Sequence, residues 1–249
     1  MDDESIYLSV VIPAFDEANR IGSTLDRVRA YLEQQTFVSE VLVVVDGGHD
    51  DTLDLVQRVA DGWSTLTVLH NDVNRGKGDA VRRGMLEARG QFLLFSDADL
   101  STPIDQVERL LTALRPGCDV AIGSRALAGS DVRLRQPWWR QWMGRVFNRI
   151  VQQIVVSGYR DTQCGFKCFR REAAHRILAR QRQSRFSFDV ELIWIASKMG
   201  YGVVEVPVVW INDPSSRVHP LRDSCRMLFD LLRLRYDDFR GAYRTDDRD

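Results

Sequence analysis

No run of the 249 residues reaches the roughly 18 consecutive apolar positions that a membrane-spanning helix needs. The start, Met-Asp-Asp-Glu-Ser, is acidic and a strand-like run begins at Leu8, so no secretory leader is expected. Cysteine is scarce, with four residues and no CxxC pair, which excludes a disulfide scaffold and a thiolate zinc site. Cys118, Cys164, Cys168 and Cys225 read as reduced thiols of a cytosolic protein. Seven Pro and 17 Gly exclude collagen-like and mucin-like chains. Charge of one sign is absent: 34 basic against 35 acidic residues give a net −1, which excludes a globally basic nucleic-acid binder. Lysine itself is rare, only Lys77, Lys167 and Lys198. What remains, 44% hydrophobic and 28% charged residues, is the composition of a soluble domain able to bury a core without staples.

Strands and helices alternate along the first half. Short β-branched runs at 8–13, 40–45, 66–70, 91–96 and 119–123 predict strands. Helical spacing falls between them, at 20–33, 51–60, 77–88 and 104–114. This order predicts βαβ units and a mostly parallel sheet covered on both faces. Further helices are expected over 139–156, 186–200 and 221–236, with a strand over 203–210. We therefore expect one α/β domain over 1–236, with a nucleotide-binding half (1–124) and an acceptor-side half (125–236). A charged, disordered tail is expected over 237–249.

Asp97 and Asp99 close the apolar run Gln91–Ser96. Ligands bind at the carboxyl ends of strands in open α/β sheets. Alternate side chains of an extended segment share a face, so both carboxylates can aim at one point. Two such charges call for a cation, and hard oxygen donors suit Mg²⁺ or Mn²⁺. Asp46, followed by Gly47-Gly48, and Asp16-Glu17 after Pro13 bring acidic groups to the same edge. Each of these could instead cap a helix. Asn74-Arg75-Gly76-Lys77-Gly78 is glycine-rich but fails the Walker A spacing. Lys77 is the residue there that can face a phosphate.

These pieces, in this order, resemble the family 2 glycosyltransferases of the GT-A fold. The matching segments are VVIPAFDE (10–17), VVVDGGHDDT (43–52), NRGKGDAVRRG (74–84), FSDADLSTP (95–103), AIGSR (121–125), DTQCGFKCF (161–169), FDVEL (188–192) and SRV (216–218). DADLSTP and DTQCGFK are most similar to the group that moves glucose from UDP-glucose to a polyprenyl (dolichyl-type) phosphate. Val45 stands where the family usually has the first of two Asp.

The resemblance implies a Rossmann-like sheet and a divalent metal on Asp97 and Asp99. It places Pro13, Ala14, Glu17, Asp46, Lys77, Asp97 and Gln163 along the nucleotide sugar. It gives Asp99, Arg125, Lys167 and Arg217 catalytic roles, the three cations clamping phosphates. Asp189 and Glu191 read as sugar-hydroxyl ligands or as a buried structural pair, with structure favoured. A phosphate-monoester acceptor is mostly dianionic at neutral pH, with a second pKa of about 6. It attacks the sugar without a general base and inverts the anomeric centre. Alternatives are GDP-mannose or another donor, a soluble acceptor, or an inactive nucleotide-sugar-binding protein. No nucleic-acid partner is expected.

Residues 137–156 interleave Trp138, Trp139, Trp142, Met143 and Phe147 with Arg, and 221–236 mix Leu and Phe with Arg. Both C-terminal amphipathic segments suggest peripheral attachment to the cytoplasmic face of a membrane.

Overall fold

The computed structural model describes residues 5–133, 149, 151–152, 154–155, 158–212 and 220–243. Strands β1 (Leu8–Ala14), β2 (Ser39–Asp46), β3 (Leu66–Asn71), β4 (Phe92–Ser96) and β5 (Val120–Ser124) alternate with helices. The helices are α1 (Ile21–Leu32), α2 (Thr52–Asp61), α3 (Lys77–Glu87) and α4 (Val107–Ala113), the last preceded by a 3₁₀ turn at Ile104–Gln106. Then come β6 (Asp131–Arg133), β7 (Phe166–Arg170), α5 (Arg171–Ala179), α6 (Phe188–Lys198), β8 (Val203–Pro207), β9 (Val209–Ile211) and α7 (Pro220–Phe239).

Seven strands form one sheet in the order β3-β2-β1-β4-β7-β5-β8. All ladders are parallel except those of β7, which runs antiparallel between β4 and β5. β6 and β9 make a separate two-stranded parallel sheet. Every residue of β1, β4 and β5 is buried, as continuous apolar strands covered on both faces require. One core cluster, with Val11, Val44, Met85, Phe95 and Phe188, lies on the α3, α5 and α6 side. The other, with Ile12, Val28, Val43, Leu94 and Val107, lies under α1, α2 and α4.

Several details depart from the sequence expectation: β6 and α5 were not anticipated, and the strand expected over 203–210 divides into β8 and β9 in separate sheets. Pro13 was expected to stop β1, yet the strand runs on to Ala14. The ladder to β4 ends at Val11–Phe95, so the missing N–H of Pro13 falls beyond that pairing, while β2 pairing continues to Ala14–Val45. β7 was not anticipated as a strand. The tail from 237 is ordered to Tyr243: α7 reaches Phe239 and Tyr243 is buried. Among the described residues no helix is long and apolar enough to cross a membrane. The first amphipathic segment, with its tryptophans, lies almost wholly outside the described residues.

Candidate active site

A cavity of about 400 Å³ opens at the carboxyl ends of β1, β2 and β4. Its wall includes Pro13, Ala14 and Glu17 after β1, Asp46 from β2, Lys77 at the start of α3, and Asp97 and Asp99 after β4. Seven of the sequence-predicted positions are thus brought to one place. This is the edge that open α/β sheets use for ligands.

The carboxylate pair is held by tight backbone. Leu100, buried, adopts φ 45°, a conformation uncommon for a branched residue, and its N–H donates to the Asp97 carbonyl at 3.1 Å. The Ser101 N–H donates to Asp99 Oδ1 at 2.8 Å. Burial first, and the neighbouring Asp97 charge second, push the Asp99 carboxyl above its ordinary value. Lys77 Nζ lies 2.6 Å from Asp97 Oδ1. Burial works against the Lys77 ammonium, but Asp97, Asp189 and Asp99 outweigh it and hold its pKa above the usual lysine range.

Gly165 explains how Asp97 is aimed. Antiparallel β7 brings Gly165 against the end of β4, and the Asp97 N–H donates to its carbonyl at 3.1 Å. A Cβ at Gly165 would overlap the Asp97 carboxylate, so the glycine of the GFK segment is a space requirement. Gly76 has φ 106°, and a side chain there would run into the Ser184 carbonyl. The N-terminus of α3 therefore packs directly on the 181–187 loop.

Asp46 lines the cavity but its carboxylate is already engaged. It accepts from Asn71 Nδ2 at 2.7 Å, from the Arg75 N–H at 3.0 Å and from the Gly76 N–H at 2.7 Å. Its immediate work is to shape the 71–76 loop. Glu17 forms a two-point ion pair with Arg20, another wall residue.

The family model for glycosyl transferase family 2 matches residues 9–178. Dolichyl-phosphate beta-glucosyltransferase of Drosophila melanogaster is 36% identical over 98% of this chain and 78% of its own. The Homo sapiens protein of the same name is 34% identical over 98% and 80%. The chain belongs to the family 2 glycosyltransferases. Among solved structures, mannosyl-3-phosphoglycerate synthase from Rubrobacter xylanophilus matches at TM-score 0.67 and 20% identity, over 97% of this chain and 77% of that one. Glucosyl-3-phosphoglycerate synthase from Mycobacterium tuberculosis, in complex with Mn²⁺, UDP-glucose and phosphoglyceric acid, matches at 0.65 and 18%, over 97% and 82%. These likenesses establish the GT-A-like fold.

In this glycosyltransferase, Arg125 and Lys167 do not line the cavity. Arg125 makes a two-point ion pair with Asp161, at 2.6 and 2.8 Å, and its N–H donates to the same carboxylate at 2.9 Å. Burial would raise the Asp161 carboxyl, but Arg125 outweighs it and holds it below the ordinary range. Lys167 is fully buried beneath the carboxylates and bonds Asp189 Oδ1 at 2.5 Å and the Cys164 carbonyl at 2.6 Å. Both cations were expected as a direct phosphate clamp. In the structure each is committed to a buried aspartate: Lys167 is fully enclosed, while Arg125 keeps a 32% exposed side chain away from the described cavity wall. Gln163 lies outside the wall, its Nε2 3.7 Å from Met227 Sδ. Arg217 lies outside the described residues. Asp189 and Glu191 are both buried and do not pair with each other. Asp189 takes Lys167, while Glu191 accepts the Arg182 and Gln183 N–H groups at 2.9 and 2.8 Å and the Tyr243 hydroxyl at 2.6 Å. The Cys164 thiol is pushed up to about 11, mainly by burial, and is an inert packing group.

Three wall residues were not anticipated: Arg20, Arg185 and Phe186. The 181–187 loop that carries the last two is pinned by Glu191, by Gln181 Nε2 on the Gly78 and Gln183 carbonyls, and by the Asp79 N–H on the Ser184 carbonyl. No sequence motif marked Arg185 or Phe186; only the fold brings them beside the glycine-rich start of α3.

Proposed function

We propose that this enzyme transfers glucose from UDP-glucose to a polyprenyl phosphate of the dolichyl type, with inversion at the anomeric carbon. The observation that carries the reading is the Asp97–Asp99 pair in the mouth of a strand-end cavity whose wall also offers Lys77, Arg20 and Arg185. That wall suits a molecule with a diphosphate, a polar sugar and a flat base. The names of the relatives, at about a third identity over nearly the whole chain, support the donor sugar and the lipid acceptor.

The donor set fits a hard divalent ion, Mg²⁺ or Mn²⁺. Two neighbouring carboxylates, one of them Asp99 with its proton affinity raised by burial and by Asp97, are offset by one lysine, which leaves an excess of negative charge. Among the described residues no three His, Cys, Asp or Glu side chains converge, so Asp97 and Asp99 would hold the ion together with diphosphate oxygens and water. Bound there, the ion offsets charge growing on the nucleotide leaving group. The chain itself orients the rest. Lys77 neutralises Asp97 and faces the phosphates, the Arg20–Glu17 pair and Ala14 edge the nucleotide pocket, and Phe186 covers it. Among the described residues no histidine lies in the wall, which suits an acceptor phosphate that needs no general base.

One observation favours a second donor reading. Val45 is buried and Asp46 is saturated by its own loop, so the usual acidic contact to a base is taken. GDP-mannose or another nucleotide sugar is therefore the comparison donor. The test is label transfer into the organic phase from UDP-glucose, GDP-mannose and UDP-N-acetylglucosamine, with a short polyprenyl phosphate. Transfer from UDP-glucose alone supports the reading. Transfer only from another donor replaces the sugar, and transfer only to a water-soluble phosphate replaces the acceptor. Peripheral attachment to the cytoplasmic leaflet belongs to the same proposal. Its support is the exposed apolar stripe of α7, with Phe229 at 70% and Phe239 at 87% exposure.

A further inference from the structure

The side chains of α7 described from Arg226 onward divide among three faces. Leu231 and Leu234 are buried in the core. Phe229, Leu232, Tyr236 and Phe239 recur at i, i+3, i+7 and i+10 and are all exposed, an apolar stripe without cover. Arg226, Asp230, Arg233 and Asp237 recur at i, i+4, i+7 and i+11, so they share a third face. That face and the Arg182–Arg185 loop enclose a groove of about 250 Å³.

The groove holds four arginines and two aspartates. Both aspartates are engaged: Asp230 accepts the Ser187 hydroxyl at 2.8 Å, and Asp237 lies 4.0 Å from Arg182 and 3.9 Å from Arg233. Arg185 and Arg226 have no ion pair among the described residues. Clustered guanidinium groups repel unless an anion sits between them, and their planar forks match phosphate oxygens.

We propose that this groove seats the phosphate headgroup of an anionic membrane phospholipid, a bystander lipid distinct from the acceptor. The charge of the groove and the uncovered apolar stripe on the adjoining face of the same helix decide for a bilayer surface. An amphipathic helix lying in an interface sinks its apolar face and sets its arginines at headgroup level. Arg185 lines both this groove and the strand-end cavity, so a seated headgroup would abut the wall of the site. The inference rests on the peripheral-membrane reading above but not on the identity of the donor sugar.

The test is co-sedimentation of the full chain with phosphatidylcholine vesicles with and without phosphatidylglycerol. Wild type is expected to bind the anionic vesicles and to release them as salt is raised. Paired substitution Arg226→Gln and Arg233→Gln should weaken that binding by roughly 25-fold, about fivefold per arginine, with an unchanged melting temperature. Phe229→Ser with Leu232→Ser should also abolish it. Inorganic phosphate should compete no better than chloride at equal ionic strength. Three results overturn the proposal: no binding by wild type, wild-type affinity in the arginine variant, or competition by inorganic phosphate beyond its ionic strength, which would mark a soluble-anion site. Vesicle binding requires neither nucleotide nor acceptor. Failure of the transfer assay and failure of this one are therefore separate results.

Discussion

Lys77 and Lys167 are two of only three lysines in the chain, and each is bonded to an aspartate at the same edge of the sheet. Lys77 is 23% exposed and faces the cavity beside Asp97. Lys167 is 0% exposed and sits in the core against Asp189 and the Phe95 ring. The front pair can exchange partners with a phosphate. The rear pair cannot, since moving either member would strand a charge in low dielectric. Asp99 belongs to the front, while Arg125 with Asp161 stands apart from both: Asp161 is buried, Arg125 is 32% exposed, and neither lines the cavity. The difference teaches that charge and motif position do not assign a role at this edge; access to the cavity does.

The sharpest way to break the comparison is to remove the rear cation. Lys167→Met leaves Asp189 buried without its hydrogen-bonded cation, with only the more distant Lys77 charge to offset it, and should cost about 3–5 kcal/mol of stability by denaturant unfolding. Adding Asp189→Leu should recover much of it. If Lys167→Met instead melts like wild type and only loses activity, the rear pair is functional. Next comes Asp99→Asn, expected to lower transfer by about 10²–10³-fold without destabilising the fold. Here the sign can be worked out. A carboxyl raised above its unfolded value contributes stability that is fully present below the unfolded pKa and lost as pH rises through the folded one. At neutral pH the ionised Asp99 is a cost, so the amide should melt slightly higher. Asp161 runs the other way: its lowered carboxyl supplies stability above the unfolded pKa that is lost as pH falls through the folded one, so Arg125→Gln should be destabilised most at neutral pH, with the gap to wild type closing as pH falls.

Gly165→Ala is a smaller probe of the front. The added methyl group pushes on Asp97, and a displacement near 1 Å is worth up to about 10²-fold in rate. A change confined to stability would detach Gly165 from the site. The smallest effect is expected from Tyr243→Phe. Removing its hydroxyl bond to Glu191 costs about 1 kcal/mol, and KM for the donor should rise more than kcat falls, because Glu191 pins the loop carrying Arg185 and Phe186. Equal changes in both constants would count against that link.

The alternation of β1 to β5 with α1 to α4 was legible because each run has a clear period and turn residues at its ends. The Asp97–Asp99 pair was legible because it closes a buried strand. β7 was not: Phe166 to Phe169 are buried on both faces, so no alternation marks the strand, and its antiparallel placement between β4 and β5 is a long-range fact. Nor could spacing tell a cavity lysine from a core lysine. Lys167 lies in a matching motif, yet its burial follows from contacts made across the sheet. Tyr243 sits in a charged tail whose composition suggested disorder, and only packing against Glu191 reveals it as core. Arg20, Arg185 and Phe186 reach the cavity from loops of distant sequence, which no local pattern encodes.

The central claim is that the front carboxylates hold the donor diphosphate through a divalent ion, and the buried Lys167–Asp189 pair does not. The most direct test is calorimetric titration of UDP into wild type and into Asp99→Asn, each with and without Mn²⁺. Asp99→Asn is isosteric and leaves that buried pair intact. Tighter UDP binding with Mn²⁺ in wild type, by tenfold or so, and no such gain in the variant is the predicted result. An equal gain in both proteins would contradict the account.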